Sequence, residues 1–198
     1  MNEVKDEIKE TLLSVALKRF EHYGYNKTTV EEIAEDAHIG KGSFYLHFKS
    51  KKEIFLHLVE LHFSTKLKEI ENAYHHSGTI KERLNKMIIS RYLNFYEYWT
   101  SKPHGYEIGQ VVTTMSEDFE NVIKPYRDQA DDFILKLIEE GNREQVFEVK
   151  NPTLVAKTIS MSFMNLLPSG YKCFSHFNEA KEYVYTLLDI IYRGLQKK

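Results

Sequence analysis

The 198-residue sequence predicts an all-α fold, and three observations support this prediction. Apolar residues recur at intervals of three and four along most of the chain, which is the spacing of an amphipathic helix. Three capping boxes mark the beginnings of helices: Thr29-x-x-Glu32, Ser50-x-x-Glu53 and Thr79-x-x-Glu82. Only nine glycines and four prolines occur, so few positions break a helix. We expect about nine helices in all.

The first part of the chain predicts three helices. The first covers about residues 3–23 and ends at Gly24, a plausible C′ residue. The second begins after Thr29 and is broken at residues 38–40, where we expect Gly40 to be free to take a positive φ. The third covers about residues 41–48.

Longer helices follow. Ser50 is expected to cap a connector helix that reaches about residue 74. Further helices are predicted over about 79–99, 106–114, 116–140, 152–167 and 178–196, with Ser116, Asn151 and Asn178 as caps. Pro125 should kink its helix or mark a restart, and Gly141 should end it. We divide the chain into a head, residues 1–50, and a larger body, residues 51–198.

Composition narrows the class of protein. No apolar run reaches the ~18 residues that span a bilayer, and the charged amino terminus is unlike a signal peptide. A single cysteine excludes an internal disulfide framework. We therefore expect a cytoplasmic protein without a membrane partner. Because neither a glycine-rich phosphate loop nor a nucleophile-elbow motif occurs, we expect neither an enzyme nor a cofactor.

The head contains a candidate reader of DNA. Two short helices joined by a tight turn are how a helix-turn-helix protein places side chains in the major groove. Residues 37–52 hold four lysines, two histidines and no acid, although residues 1–60 as a whole hold nine basic against eleven acidic residues. The positive charge is therefore local, which is sufficient for phosphate contacts within a Debye length of ~8–10 Å.

This stretch resembles the TetR family of transcriptional regulators over roughly the first third of the chain. One departure lies in the turn, where many members of that family have glycine at position 38 and serine or threonine near position 40, whereas this chain has His38 and Gly40. We expect the backbone path to be kept and a small polar contact to DNA near the turn to be missing. The matching positions are Gly24-Tyr25, Thr28-Thr29-Val30, Ile33-Ala34, Ala37, Gly42, Phe44-Tyr45, His47-Phe48 and Ser50-Lys51-Lys52-Glu53-Ile54-Phe55.

The residues expected to contact double-stranded DNA are Thr28, Thr29, Lys41, Gly42, Ser43, Tyr45, His47 and Lys51. The resemblance implies that Thr29 and Lys51 grip the backbone, while Tyr45 and His47 contact phosphates or base edges. Alternatively, Tyr45 is a half-buried core residue, and Lys49 and Lys52 are only solvated. So short a reading surface favours a homodimer that reads two half-sites of a palindromic operator.

The middle of the chain is rich in aromatic residues and has two interpretations, a packed core or the lining of a ligand cavity. The polar groups expected to face inward are Arg91, Glu107, Gln110 and Asn165, and the effector is expected to be a small apolar or aromatic molecule whose charge stays open. The predicted cavity residues are Arg91, Tyr92, Phe95, Trp99, Tyr106, Gln110, Met115, Phe119, Tyr126 and Phe163.

The resemblance implies that the last two long helices form a four-helix dimer interface. The predicted interface residues are Val155, Ile159, Phe163, Val184, Leu188 and Ile191, with the intramolecular core as the alternative for either stripe. His75-His76 and Cys173-x-x-His176 are too incomplete for a metal site. The sequence thus predicts a ligand-responsive, homodimeric repressor. An enzyme acting on an apolar substrate and an architectural or activating DNA-binding protein without an effector are the alternatives.

Overall fold

The computed structural model describes residues 2–166 and 174–197. Ile80–Thr100 is one continuous helix with a π-helical turn at Ile89–Leu93, and counting it once gives nine α-helices in the described ranges. The all-α prediction is confirmed, since these ranges show only one isolated bridge, between Phe147 and Gln196. The α-helices are α1 Asn2–Tyr23, α2 Val30–Asp36, α3 Lys41–Tyr45, α4 Lys51–Tyr74, α5 Ile80–Ile88, α6 Asn94–Thr100, α7 Gly105–Thr114, α8 Ser116–Arg143, α9 Pro152–Ser162 and α10 Phe177–Leu195.

Most predicted helix starts are confirmed. Thr29 and Thr79 form complete capping boxes, and Ser50 and Asn151 accept backbone N–H bonds at the starts of α4 and α9. The prediction for Asn178 is wrong. The cap of α10 is His176, whose Nδ1 accepts the backbone N–H of Glu179 at 3.2 Å.

A second hydrogen bond explains this early start of α10. The Glu179 carboxylate accepts the backbone N–H of Ser175 at 2.7 Å, so the first turn is closed two residues before the expected position. Ser116 is not a cap either. It is the first residue of α8 and follows Met115, which makes no capping bond with its side chain.

The expected restart at Pro125 and the expected helix end at Gly141 do not occur. The helix continues through Pro125 without a restart and passes Gly141 before ending at Arg143. Gly141 serves packing, because a Cβ at that position would lie 2.2 Å from the ring of Phe147. The loop after α8 can therefore fold back onto the helix only if residue 141 lacks a side chain.

The apolar interior forms two clusters, and α4 contributes to both. Ile54 and Phe55 at its amino end join the head cluster, while Ile70 and Ala73 at its carboxyl end join the body cluster. Ile108 and Val111 of α7 also pack into the head cluster. The head core is therefore completed by a helix of the body, and a rigid connector links the two. No helix in the described ranges has both the length and the apolar character needed to cross a bilayer.

A mostly buried ion pair fixes α5 against α8. The Arg83 guanidinium and the Glu140 carboxylate form a bidentate ion pair with two hydrogen bonds. In one of them the Nη2–oxygen distance is 2.9 Å. Arg83 Nε also donates to the carbonyl of Tyr74 at 2.7 Å, and the guanidinium lies over the Tyr74 ring. The carboxyl end of α4 is thereby held at the same point.

Candidate DNA interface and ligand cavity

The turn between α2 and α3 keeps the expected path but uses a different residue to reverse direction. His38 has φ +55°, whereas Gly40 has φ −69° and is the N-cap residue of α3. The expectation of a positive φ at Gly40 is therefore wrong. The backbone N–H of Ile39 donates to the carbonyl of Ala34 at 3.0 Å, which closes the turn. The left-handed residue is at position 38, where many TetR relatives have glycine.

Replacing His38 with glycine should stabilise the head by about 0.5–1 kcal/mol. A left-handed conformation costs a residue with a Cβ roughly 1–2 kcal/mol, and the greater entropy of unfolded glycine offsets part of that gain. Chemical denaturation of wild type and His38→Gly measures the difference. His38→Ala is the matched control and should bring no gain; equal stabilisation by alanine would show that the imidazole, rather than the φ angle, is unfavourable.

The recognition helix is anchored by two phenylalanines and presents its other side chains outward. Phe44 and Phe48 are buried in the head core. Lys41 and Gly42 are exposed, and no atom lies within 4 Å of the position that a Cβ of Gly42 would occupy. Tyr45 is 47% exposed with its ring edge-on to Phe44, so it lies at the surface of the head. Ser43 and His47 are half-buried at the edges of the same surface.

Leu46 belongs to this surface and was missed by the sequence analysis. It is 74% exposed, although it stands between two predicted contact residues. Once Phe44 and Phe48 are assigned to the core, a period of four leaves residues 45 and 46 on the outer side. A large apolar side chain there has no partner within the head, and apolar contact with thymine methyl groups is one way in which proteins read base pairs.

Thr28 is buried, which contradicts its expected DNA contact, and Lys51 is half-buried with its ammonium engaged within the head. Thr28 is 1% exposed, and its hydroxyl donates to the carbonyl of Gly24 at 2.8 Å. Lys51 Nζ donates to the carbonyls of Tyr25 and Thr28, both at 2.7 Å, and lies 4.3 Å from the centroid of the Tyr25 ring. Burial lowers the pKa of Lys51, against the pull of nearby carboxylates. These side chains tie the end of α1 to α4.

Thr29 remains exposed, but its hydroxyl is engaged in the capping box. It accepts the backbone N–H of Glu32 at 3.2 Å and donates to the Glu32 carboxylate at 3.0 Å. A contact of this hydroxyl with phosphate would therefore compete with its role in capping α2.

The lysines of the motif are less free than the sequence implied. Lys41 pairs with Glu31, and this hydrogen-bonded ion pair raises the pKa of Lys41 and lowers that of Glu31. Lys52 pairs with Asp118 at the start of α8. Among residues 41–52, all within the described part of the chain, Lys49 alone is an exposed lysine without an ion pair. The cationic surface thus also contains a carboxylate, that of Glu31.

Two adjoining cavities lie behind the head. The larger, of about 480 Å³, is bordered by three residues of the predicted set: Phe95 and Trp99 of α6 and Phe119 of α8. It also includes Leu17 and Phe20 of α1 and His62 of α4, which the sequence analysis missed because sequence spacing does not show where separate helices meet. The smaller cavity, of about 90 Å³, shares Phe95 and Phe119 with the larger one and adds Arg91, Tyr92 and Tyr126.

Four predicted cavity residues lie elsewhere. Tyr106 and Gln110 are exposed, Met115 packs against the head cluster, and Phe163 is fully buried in the body core, stacked on Tyr92. A helix places only part of its aromatic residues on any one face. The sequence does not show which face borders the cavity.

Two of the polar side chains expected to face into the cavity are bonded to other parts of the protein. Glu107 accepts the backbone N–H of Asn26 at 3.0 Å and pairs with His104, so it fastens α7 to the head. Arg91 is bonded to Asp131 at 2.6 Å, which balances its charge. Asn165 lies outside the residues whose side chains are described, as does Cys173 of the Cys173-x-x-His176 pair. No group of acidic, histidine or cysteine side chains in the described ranges could hold a metal ion.

Four predicted dimer residues belong to the intramolecular core, and this part of the prediction is wrong. Ile159, Phe163, Val184 and Leu188 are at most 2% exposed. Val155 and Ile191 are half-buried against the same core. The most regular apolar stripe of each helix therefore faces the interior of the body.

The outer faces of the last helices are apolar as well. Large side chains on α9, on the turn that follows it and on α10 are 46–62% exposed. The hydroxyl of Tyr183 on α10 donates to the carbonyl of Ser162 at 2.7 Å, which joins α9 and α10. The residues of this outer face are Leu154, Met161, Met164, Tyr185 and Ile190.

Comparison with known proteins agrees with this architecture. Residues 12–58 match the family model for bacterial regulatory proteins of the tetR family. The chain is 27% identical over 205 residues to the HTH-type transcriptional regulator YerO of Bacillus subtilis (strain 168), covering 97% of this chain and 67% of YerO. It is 39% identical over 54 residues to the HTH-type transcriptional regulator QacR of Staphylococcus aureus, covering 27% of this chain and 29% of QacR.

A solved structure shows that the similarity of fold extends beyond the head. A transcriptional regulator of the TetR/AcrR family from Thermobifida fusca superposes with a TM-score of 0.77 at 17% identity, covering 96% of this chain and 98% of the other. The match to the family model and to YerO defines a DNA-binding transcriptional regulator with a helix-turn-helix rather than an enzyme. The chain belongs to the TetR family.

Proposed function

We propose that this protein is a homodimeric repressor that is released from a palindromic operator by a small apolar or aromatic effector in the cytoplasm. The observation that supports this best is the position of the larger cavity. Its wall includes α1 of the head, α4, and helices α6 to α8 of the body. A ligand there contacts the reading head and the remaining helices at the same time.

DNA recognition in this proposal is divided between positioning and reading. Lys41, Lys49 and Thr29 contact phosphates, which set affinity and salt dependence. Tyr45, Leu46 and His47 reach the base edges in the major groove, and Gly42 allows the backbone to approach closely. So few reading groups give limited discrimination in one copy, and two copies on adjacent half-sites supply the rest.

The coupling of ligand to DNA runs through α4. Its amino end is part of the head core, its middle lines the cavity, and its carboxyl end is held by Arg83. A ligand that prefers a tilted α4 changes the distance between the two recognition helices. A coupling free energy of ~1–3 kcal/mol would change operator affinity by about 5–150-fold.

The test begins with selection of bound sequences from a random duplex library by the full-length protein. We expect an enriched palindrome that is bound at least about 10³-fold more tightly than random duplex. Binding without discrimination would indicate an architectural protein, and no binding would exclude a DNA reader. On the selected duplex, Lys41→Ala should weaken binding at least about tenfold. Lys136→Ala is the matched control, because Lys136 also forms an exposed ion pair, with Asp132, but lies on α8.

Replacing Glu31 with glutamine should strengthen operator binding roughly three- to tenfold at low salt. The change releases Lys41 from its ion pair and removes a negative charge from the surface that faces phosphate. Fluorescence anisotropy at two salt concentrations measures the gain, which should shrink as salt rises. Asp132→Asn frees Lys136 in the same way and should leave affinity unchanged; a loss of affinity in Glu31→Gln would mean that the pair positions Lys41 for DNA.

A further inference from the structure

The larger cavity contains two buried nitrogen atoms that lack a hydrogen-bond partner among the described residues. They are Nε2 of His62 and Nε1 of Trp99. Both side chains belong to the cavity wall, His62 from α4 and Trp99 from α6. An unpaired buried polar atom costs about 1–3 kcal/mol, so this wall is primed for a hydrogen-bonding group.

The two rings are neighbours in the cavity wall. Their centroids are 6.2 Å apart, with the planes inclined at 56°. A ligand oxygen that bonds to both nitrogens must lie about 3 Å from each, which requires a small rotation of the two side chains because both atoms are closed to solvent. The indole N–H is always a donor, and a neutral imidazole nitrogen is a donor or an acceptor according to its tautomer. A hydroxyl group satisfies both tautomers, and a carbonyl group satisfies one.

The charges of the cavity wall are already balanced. Lys66 is the charged residue of the wall, and its Nζ donates to both carboxylate oxygens of Glu69, at 2.9 and 2.8 Å. The Tyr98 hydroxyl donates to Glu21. Burial lowers the pKa of His62 to about 4, helped by the nearby Lys66 charge, so the imidazole is neutral at pH 7. An ionic ligand would be desolvated here without a free counter-charge.

Apart from Thr65 and Asn94, the remaining wall is apolar and largely aromatic. Phe20 and Phe55 come from the head core, and Phe63, Phe95 and Phe119 come from α4, α6 and α8. Aromatic rings provide a large apolar area with little conformational freedom to lose. This surface fits a compact apolar body rather than a polar one.

From these contacts we infer that the effector is an uncharged, compact apolar molecule with a single hydroxyl or carbonyl oxygen, which bonds to Trp99 Nε1 and His62 Nε2. This rests on the proposed function and narrows it, because it assigns the polar anchors and excludes ionic effectors. It also places the ligand against Leu17 and Phe20 of α1, so the head core itself forms part of the binding site.

Three probes with the same apolar cage separate the possibilities: 1-adamantanol, 1-adamantylammonium and 1-adamantanecarboxylate. Calorimetry on the full-length wild type at pH 7 should show that the alcohol binds at least about tenfold more tightly than either ion. Trp99 is the single tryptophan of the chain, so its fluorescence reports occupancy of this cavity directly. Equal or tighter binding of an ion would overturn the inference, and so would absence of a change in Trp99 emission with the alcohol.

Variants then test the two anchors. Trp99→Phe and His62→Phe keep an aromatic ring and remove the nitrogen, and each should weaken 1-adamantanol binding at least about fivefold. His57→Phe is the control, because His57 lies on the same helix outside the cavity. Unchanged binding in both cavity variants would overturn the anchor assignment. If a variant fails to fold by circular dichroism, the probe series on wild type still decides the charge class.

Operator binding without any probe is measured separately. A protein that discriminates the selected palindrome but prefers an ionic probe disproves the inference and leaves the DNA-reading function intact. A protein that binds 1-adamantanol as expected but shows no DNA discrimination supports the assignment of the cavity and contradicts the proposed DNA-reading function.

Discussion

Replacing Met161 and Ile190 with glutamate should convert the protein into a folded monomer that has lost specific DNA binding. Both residues are 62% exposed, one on α9 and one on α10, and they belong to the outer apolar face that this subunit leaves open. Burying a carboxylate at a dimer contact without a partner is strongly unfavourable. The substitutions remove little from the subunit core, so the thermal unfolding temperature of the monomer should fall only by the contribution of dimerisation.

The expected loss of operator affinity in this double variant is at least about a hundredfold. Specific complexes of dimers typically have Kd values of ~10⁻⁸–10⁻¹¹ M, whereas non-specific binding lies near ~10⁻⁴–10⁻⁶ M. Sedimentation velocity at micromolar concentration measures the oligomeric state, and anisotropy on the selected duplex measures affinity. A double variant that sediments as a dimer would place the interface elsewhere.

The matched control uses the residue two positions before each substituted one. Ile159 and Leu188 are both 2% exposed, on the inner sides of the same helices. Ile159→Ala or Leu188→Ala should cost about 2–5 kcal/mol of stability, because each leaves a cavity in the body core. Neither should change the oligomeric state of the molecules that remain folded.

Replacing Glu140 with glutamine should destabilise the protein by about 2–3 kcal/mol. The side chains of Glu140 and Arg83 are 19% and 12% exposed, and the change leaves a mostly buried guanidinium without its carboxylate. The bond to the Tyr74 carbonyl and the contact with the Tyr74 ring remain, so the expected loss is below that of a fully isolated charge. Chemical denaturation at pH 7 measures it.

The difference in stability between wild type and Glu140→Gln should disappear in acid. The hydrogen bond from Arg83 lowers the pKa of Glu140 below its ordinary value of 4.5. The stabilisation is therefore complete above that value and disappears as the pH falls through the folded pKa. Unfolding curves of wild type and Glu140→Gln should converge between about pH 5 and pH 3. Glu139→Gln, one position away, is the control; a constant difference at all pH values would mean that packing, and not the charge, stabilises this site.

Local signals placed most of the secondary structure correctly. The capping boxes at Thr29 and Thr79 depend on residues three apart in the chain, so their geometry can be read without knowledge of the rest. The start of α10 is harder to predict because histidine is not among the usual N-cap residues, although Glu179 has the three-residue spacing of a capping box. Sequence alone predicts a helix end at Gly141, whereas the role of this glycine depends on Phe147, which reaches it only after the loop folds back.

The site was predicted less completely than the fold. The exposed positions on α3 follow from the burial of Phe44 and Phe48, and Leu46 could have been found by the same argument. Thr28 and Lys51 have the residue types of DNA contacts, but their partners are carbonyl groups of the loop between α1 and α2. Residue type alone does not show which acceptor a side-chain donor will bond to in the folded protein.

The sequence by itself determined that this chain is helical, that a helix-turn-helix head begins it, and that its family is TetR, because each depends on residues close together along the chain. The tertiary structure decided which apolar face of α9 and α10 is inner, that Glu31 restrains Lys41, and that His62 and Trp99 meet in one cavity. Those facts depend on the rotation and approach of whole helices. Such rotations are set by the packing of all side chains together and not by any one segment.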